Sequence, residues 1–149
     1  MAQGDWEKLV TENENTLYRA ALAILGDRQE AEDAVQDAFL RYLEKAPADL
    51  ENPAGWLMRV TVNGCKSRLR LKWRQVVALP QDLPCRGPEE RQELEELWQL
   101  PARDRAVLHL FYYEGYSTEE IARIMGLSDG GVRSRLSRAR QKLKGLLGE

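Results

Sequence analysis

Apolar residues along the chain recur at helical spacing, and sustained period-two alternation of the kind a half-buried strand needs is absent. Trp6, Leu9, Val10, Leu17, Ala20, Ala21 and Ile24 form a first amphipathic run that Gly26 ends as a C-cap. Asp27 and Glu30 then mark a new start by capping-box logic, with Asp in the Ser/Thr role. Ala31, Ala34, Val35, Ala38, Tyr42 and Leu43 supply the second apolar face, and Pro47 closes it. Asn52 followed by Pro53 reads as an N-cap with proline at the first helical position, where its missing N–H costs nothing. Trp56, Leu57, Val60 and Gly64 continue on one side of that third helix, and the stretch to Arg74 forms its C-terminal end.

From Val76 to Pro88 the periodicity stops. Pro80, Pro84, Pro88 and Gly87 make this a linker rather than an element. Helical spacing resumes near Glu89 with Leu94, Leu97, Trp98 and Leu100, halts at Pro101, and returns in Ala106, Val107, Leu110 and Phe111 before Gly115. The pattern predicts an all-α fold: two small helical domains, residues 1–75 and 89–149, joined by a flexible linker at 76–88.

Composition alone points away from nucleic acid. The 149 residues carry 22 basic and 24 acidic side chains, a net charge of −2. Placing the charges reverses that inference. Lys66, Arg68, Arg70, Lys72 and Arg74 lie between Asn63 and Gln75 with no acid among them. Arg133, Arg135, Arg138, Arg140, Lys142 and Lys144 lie between Gly130 and Lys144, again with no acid. The other 121 residues hold 11 bases against 24 acids, a net −13. The chain is strongly polarised.

The second basic stretch sits in a recognisable frame. Ser117 to Glu120 is a capping box opening a helix with Ile121, Ala122 and Met125 inward. Gly126 suits a left-handed turn, Leu127 plugs the gap, and Ser128 caps the next helix. Val132, Leu136, Ala139, Leu143 and Leu147 make that helix's apolar stripe, leaving Arg133, Ser134, Ser137, Arg138, Arg140 and Gln141 outside. This is a helix-turn-helix whose second helix offers arginines and hydroxyls to a major groove, with Lys142 in reach of base edges or phosphates. The first basic stretch is more open. Trp56, Arg59, Asn63, Lys66 and Arg70 could share one face suited to unstacked bases. Equally, Trp56 could be core and the cations a solvated helix end.

In order, the parts resemble the extracytoplasmic-function (ECF) class of bacterial sigma factors. Ala31-Glu32-Asp33-Ala34-Val35-Gln36-Asp37-Ala38-Phe39-Leu40-Arg41 is similar to that family's acidic region-two helix, and Trp56-Leu57-Met58-Arg59-Val60 with Asn63 to its following segment. Tyr116 to Ala122 with Val132 to Arg140 is similar to its region four. The resemblance implies a non-enzymatic, cytoplasmic subunit without cofactor, metal or small-molecule substrate. It implies that Asp33, Gln36, Asp37, Phe39, Leu40 and Arg41 grip the clamp helices of the largest subunit of core RNA polymerase. Region four would meet the flap of the second-largest subunit. Asn52, Trp56, Arg59, Asn63, Lys66 and Arg70 would read and melt a minus-ten element, capturing single-stranded bases. Arg133, Ser134, Ser137 and Arg138 would read a double-stranded minus-thirty-five element, and an anti-sigma factor would hold the protein silent. Ser67 stands where many members carry aspartate, and Gly131 where threonine is usual. A free-standing helix-turn-helix regulator is the alternative, though it needs neither the acidic helix nor the first basic stretch.

The remaining conspicuous residues read as structural. His109 has no carboxylate or cysteine partner within sequence reach. Cys65 and Cys85 are too few for a disulfide framework and, with one histidine, match no zinc-site spacing, although a redox pairing between them stays open. Met1–Val10 has no signal-peptide character, and no apolar run approaches membrane-spanning length.

Overall fold

The computed structural model describes residues 3–81, 83 and 85–146. Among them are seven α-helices and no strand, so the all-α expectation holds. The helices are α1 (Gln3–Leu25), α2 (Arg28–Lys45), α3 (Pro53–Leu69), α4 (Pro88–Leu97), α5 (Ala102–Tyr112), α6 (Thr118–Met125) and α7 (Asp129–Leu146). A 3₁₀ turn, Arg70–Arg74, follows α3. Leu147 of the expected apolar stripe lies outside the described residues.

The helix boundaries follow the caps. Gly26 adopts φ +68° and ends α1. The Asp27 side chain accepts the Glu30 N–H at 2.9 Å, and that of Asn52 accepts the Gly55 N–H at 3.1 Å. Each such cap contributes about 1 kcal/mol by satisfying a donor the helix leaves unpaired.

α1, α2 and α3 pack as a three-helix unit. Small side chains at the seam (Ala20, Ala21, Ala31, Ala34 and Ala38, none more than 1 % exposed) let the helices approach closely. Leu17, Ile24, Leu57, Met58 and Val62 fill the layer between them. Burial of each such side chain contributes roughly 1.5–3 kcal/mol. Trp6, Phe39, Tyr42 and Trp56 form an aromatic chain over the same unit, with centroid distances of 5.6–6.4 Å.

The second unit, α4 to α7, does not stand apart from the first. α1 packs on α5 and α3 on α6, and the buried residues of both units belong to one continuous cluster. At the junction lies Arg105, 1 % exposed. Its guanidinium donates to the carbonyls of Ala23 (3.1 Å), Ile24 (2.7 Å) and Leu100 (2.9 Å) and lies 3.5 Å over the Trp98 ring. Burial pushes this guanidinium down to about 9, still protonated at neutral pH.

Candidate nucleic-acid and protein interfaces

The steep α6–α7 corner is built as the sequence reads. The Ser117 hydroxyl accepts the Glu120 N–H at 3.1 Å, and the Glu120 carboxylate accepts the Ser117 N–H at 3.0 Å. These bonds hold the Glu120 carboxyl below its usual range. Gly126 takes φ +68°, and the Leu127 N–H reaches back to the Ala122 carbonyl. Ser128 accepts the Gly131 N–H at 3.0 Å. A Cβ at Gly131 would stand 3.0 Å from that same hydroxyl, so a side chain there would crowd the cap.

α7 buries Val132, Leu136 and Ala139 and leaves Arg133, Ser134, Ser137 and Arg138 exposed in one row. Arg133 holds Asp129 at 2.9 Å, an exposed pair that water and a phosphate can readily displace. The other cations of this helix are committed inside the protein. Arg135 turns toward α5, donating to the Gly131 carbonyl at 3.2 Å with Asp104 at 3.8 Å. Burial and Arg103 together pull its guanidinium below the usual arginine range. Arg140 donates to the Tyr112 hydroxyl and lies over the Phe111 and Tyr112 rings. Lys142 donates to the Gln99 carbonyl at 2.6 Å. Arg140 and Lys142 therefore leave the DNA-facing set expected from spacing, because α4 and α5 supply them with partners. The Lys144 side chain lies outside the described residues.

The first basic stretch is not one helix face. Arg59, Asn63 and Lys66 are exposed along α3, at i, i+4 and i+7. Helix α3 then stops at Leu69, and Arg70 takes φ +51° and ψ −114°, rare for a residue with a side chain. Arg70 is exposed but leaves the row. Burial of Trp73, 6 % exposed, draws the 3₁₀ turn inward and offsets that strain. Trp56 is half-buried, its ring edge against Tyr42, and packs on the core. Asn52 is exposed, but its carbonyl oxygen is engaged in the α3 cap.

On α2, Gln36, Asp37, Leu40 and Arg41 are exposed, with Leu40 at 56 % and neighbouring Leu43 at 57 %. Asp33 is half-exposed and accepts from Gln29 at 3.0 Å. Phe39 departs from the expected surface: it is buried edge-on against Trp6, because α1 covers that side of α2. Asp37 pairs with Arg68 of α3 at 2.6 Å. Asp37, Arg41, Asn63, Ser67 and Arg68 line one small cavity, so the polymerase-facing and DNA-facing rows adjoin. Sequence spacing gave no signal for the Asp37–Arg68 pair, which joins residues 31 apart.

His109 does have a partner. Gly115, at φ +73°, turns the chain so that Glu114 lies 3.2 Å from its Nε2, and Arg19 of α1 reaches Glu114 at 3.3 Å. Five residues on, Glu114 is outside the i+3 and i+4 neighbours that helix geometry offers. Burial lowers the His109 pKa while Glu114 opposes the shift. Cys65 and Cys85 are both free thiols, and burial pushes that of Cys65 up to about 12. Among the described residues no histidine, cysteine or carboxylate cluster could hold a metal ion. No helix of theirs is long and apolar enough to cross a membrane.

Residues 9–75 match the family model for sigma-70 region 2, and residues 91–143 that for sigma-70 region 4. The chain is 35 % identical to the probable RNA polymerase sigma factor RfaY of Xanthomonas campestris over 95 % of this chain and 40 % of the relative. It is 33 % identical to the ECF sigma factor SigE of Mycolicibacterium smegmatis, covering 98 % of this chain and 63 % of SigE. It therefore spans less than two thirds of either relative. Against SigL of Mycobacterium tuberculosis the identity is 34 %, over 91 % of this chain and 85 % of SigL. The sigma factor RpoE of Bartonella quintana, solved with the anti-sigma factor NepR, superposes with a TM-score of 0.77 at 25 % identity, each chain covered to 97 %. With two sigma-70 regions in order and a helix-turn-helix assembled as that family requires, this chain belongs to the ECF RNA polymerase sigma factors.

Proposed function

We propose that the chain acts as a sigma subunit: it binds core RNA polymerase, directs it to specific promoters and assists their opening. The supporting observation is the row of Arg133, Ser134, Ser137 and Arg138, exposed on a helix whose opposite stripe is buried. Arginine reads guanine through two parallel hydrogen bonds, while the serines reach either base edges or phosphates. This row reads a minus-thirty-five element in duplex DNA. Arg59, Asn63 and Lys66 on α3, with Asn52, Trp56 and Arg70 at its margins, engage the minus-ten element as its strands separate. Gln36, Asp37, Leu40 and Arg41 on α2, with Asp33 beside them, form the face for the polymerase clamp helices. Region four also meets the polymerase flap.

Residues 1–75 and 89–149 then act as two units on the promoter, and 76–88 is the connector between them. The subunit carries no chemistry of its own and works in the cytoplasm, where core polymerase and DNA are found. As RpoE of B. quintana was solved with an anti-sigma factor, an anti-sigma factor is the partner proposed to silence this chain. Run-off transcription with purified core polymerase and a promoter library tests the reading. Promoter-dependent transcripts that require this protein support it. Absence of both core binding and transcripts overturns it.

A further inference from the structure

We infer that the packed arrangement of the two units is a self-inhibited state, with Arg105 as the latch that holds it. This rests on the two-element promoter reading above, but the latch itself can be tested without it. Arg105 is the only charged side chain among the described residues that is buried. Its partners are carbonyls, not a carboxylate, and two of the three belong to the other unit, at the end of α1. A helix end leaves such carbonyls without intrahelical donors and carries partial negative charge, so a cation is the group that fits there. Trp98, 3 % exposed, closes the other face of the guanidinium. Gly26 completes the dock: a Cβ there would stand 2.8 Å from the Trp98 ring and 3.0 Å from Pro80 of the connector.

Inhibition follows from distance rather than from masking. The rows on α2, α3 and α7 remain exposed while the latch is shut. A compact chain of this length has a radius of gyration of about 15 Å and is roughly 40 Å across. Elements centred near minus ten and minus thirty-five are about 25 base pairs apart, or about 85 Å along B-form DNA at 3.4 Å per step. The shut form can therefore hold one element but never both. Opening releases the 76–87 connector, which can extend to about 40 Å and let the units separate. Water then satisfies the guanidinium and the carbonyls it leaves, so the latch can be broken by a competing surface. The Trp98 indole N–H finds no partner while the dock is shut, which also favours a reversible contact.

Spin or fluorophore labels at Asn15→Cys and Glu119→Cys, both exposed, in a Cys85→Ser background report the separation of the units. The free protein should give one short distance. Arg105→Met keeps a stem of similar bulk without its donors, and Gly26→Ala strikes the dock from the other unit. Each should raise the long-distance population at least several-fold with helical content unchanged. Each should tighten binding to a two-element fragment at least 5-fold while leaving single-element fragments unaffected. Adding core polymerase should convert the wild-type protein to the long distance. The inference is overturned if the free protein is already extended, or if the folded variants stay short. It is also overturned if wild-type protein bound to polymerase keeps the short distance, a readout that needs no variant to fold. Opening on polymerase without promoter-dependent transcripts would instead leave the latch standing and remove the sigma reading.

Discussion

The two basic stretches are near twins in sequence and unlike in structure. Both are free of acids and dense in arginine and lysine. In the second, an unbroken apolar stripe keeps α7 helical, and the cations are sorted by which side of that stripe they fall on. Arg133 and Arg138 face out, whereas Arg135, Arg140 and Lys142 bind Gly131, Tyr112 and Gln99. In the first, the helix ends at Leu69 because burying Trp73 demands a turn that a continuing helix could not make. A run of positive charge is therefore not a nucleic-acid surface by itself. The cations that remain free after packing are.

The largest expected effect tests that sorting. Replacing both Arg133 and Arg138 by alanine should weaken binding to duplex containing the minus-thirty-five element by 10-fold or more, at about 1–3 kcal/mol per lost bidentate contact. Arg140→Ala and Lys142→Ala should each stay within about 3-fold, since each such cation contributes at most a general phosphate attraction. Equal losses in a binding titration would erase the distinction between outward and inward cations.

Asp37→Arg should weaken core polymerase binding by about 10-fold, placing like charge beside Arg41 and Arg68 on the face turned to the enzyme. Folding stability should fall by no more than about 1 kcal/mol, because the Asp37–Arg68 pair is largely exposed. DNA contacts of region four should be untouched. A pull-down with unchanged affinity for core would place the interface elsewhere.

Smaller still is Ser117→Ala, which removes one arm of the capping box and should cost about 1 kcal/mol in urea denaturation. The smallest effect concerns the thiols. Cys85 should react with a thiol reagent at pH 8 at once, and Cys65 only on unfolding, since its folded pKa near 12 lies far above the model value of 9.0. The linked stability is fully present below pH 9.0 and is lost as pH rises from there toward 12, as the unfolded thiol ionises first. Rapid labelling of both thiols in folded protein would contradict that burial.

What the sequence made legible was local. Asp27, Asn52, Ser117, Gly126 and Ser128 each act within four residues, and each sits where the chain pattern places it. The outer row of α7 was legible for the same reason, since a regular stripe fixes which residues face away. Contacts between distant segments were not. Phe39 has the spacing of a surface residue until Trp6 covers it, and Asp37 finds Arg68 only when α2 and α3 are packed. Arg105 is one arginine among many until folding brings Ala23 and Ile24, some 80 residues away, to its guanidinium. Arg70 belongs to the α3 row by arithmetic and leaves it through a backbone torsion that no periodicity encodes.

The central claim is that the free outward cations of α7 work within a promoter-directing subunit. Run-off transcription from a two-element promoter with purified core polymerase, comparing wild type with the Arg133→Ala, Arg138→Ala double variant, tests it most directly. The account predicts transcripts with the wild-type protein, none from core alone, and at least a 10-fold loss with the double variant while core binding is retained. Equal transcription from both proteins, or none from either despite core binding, would contradict it.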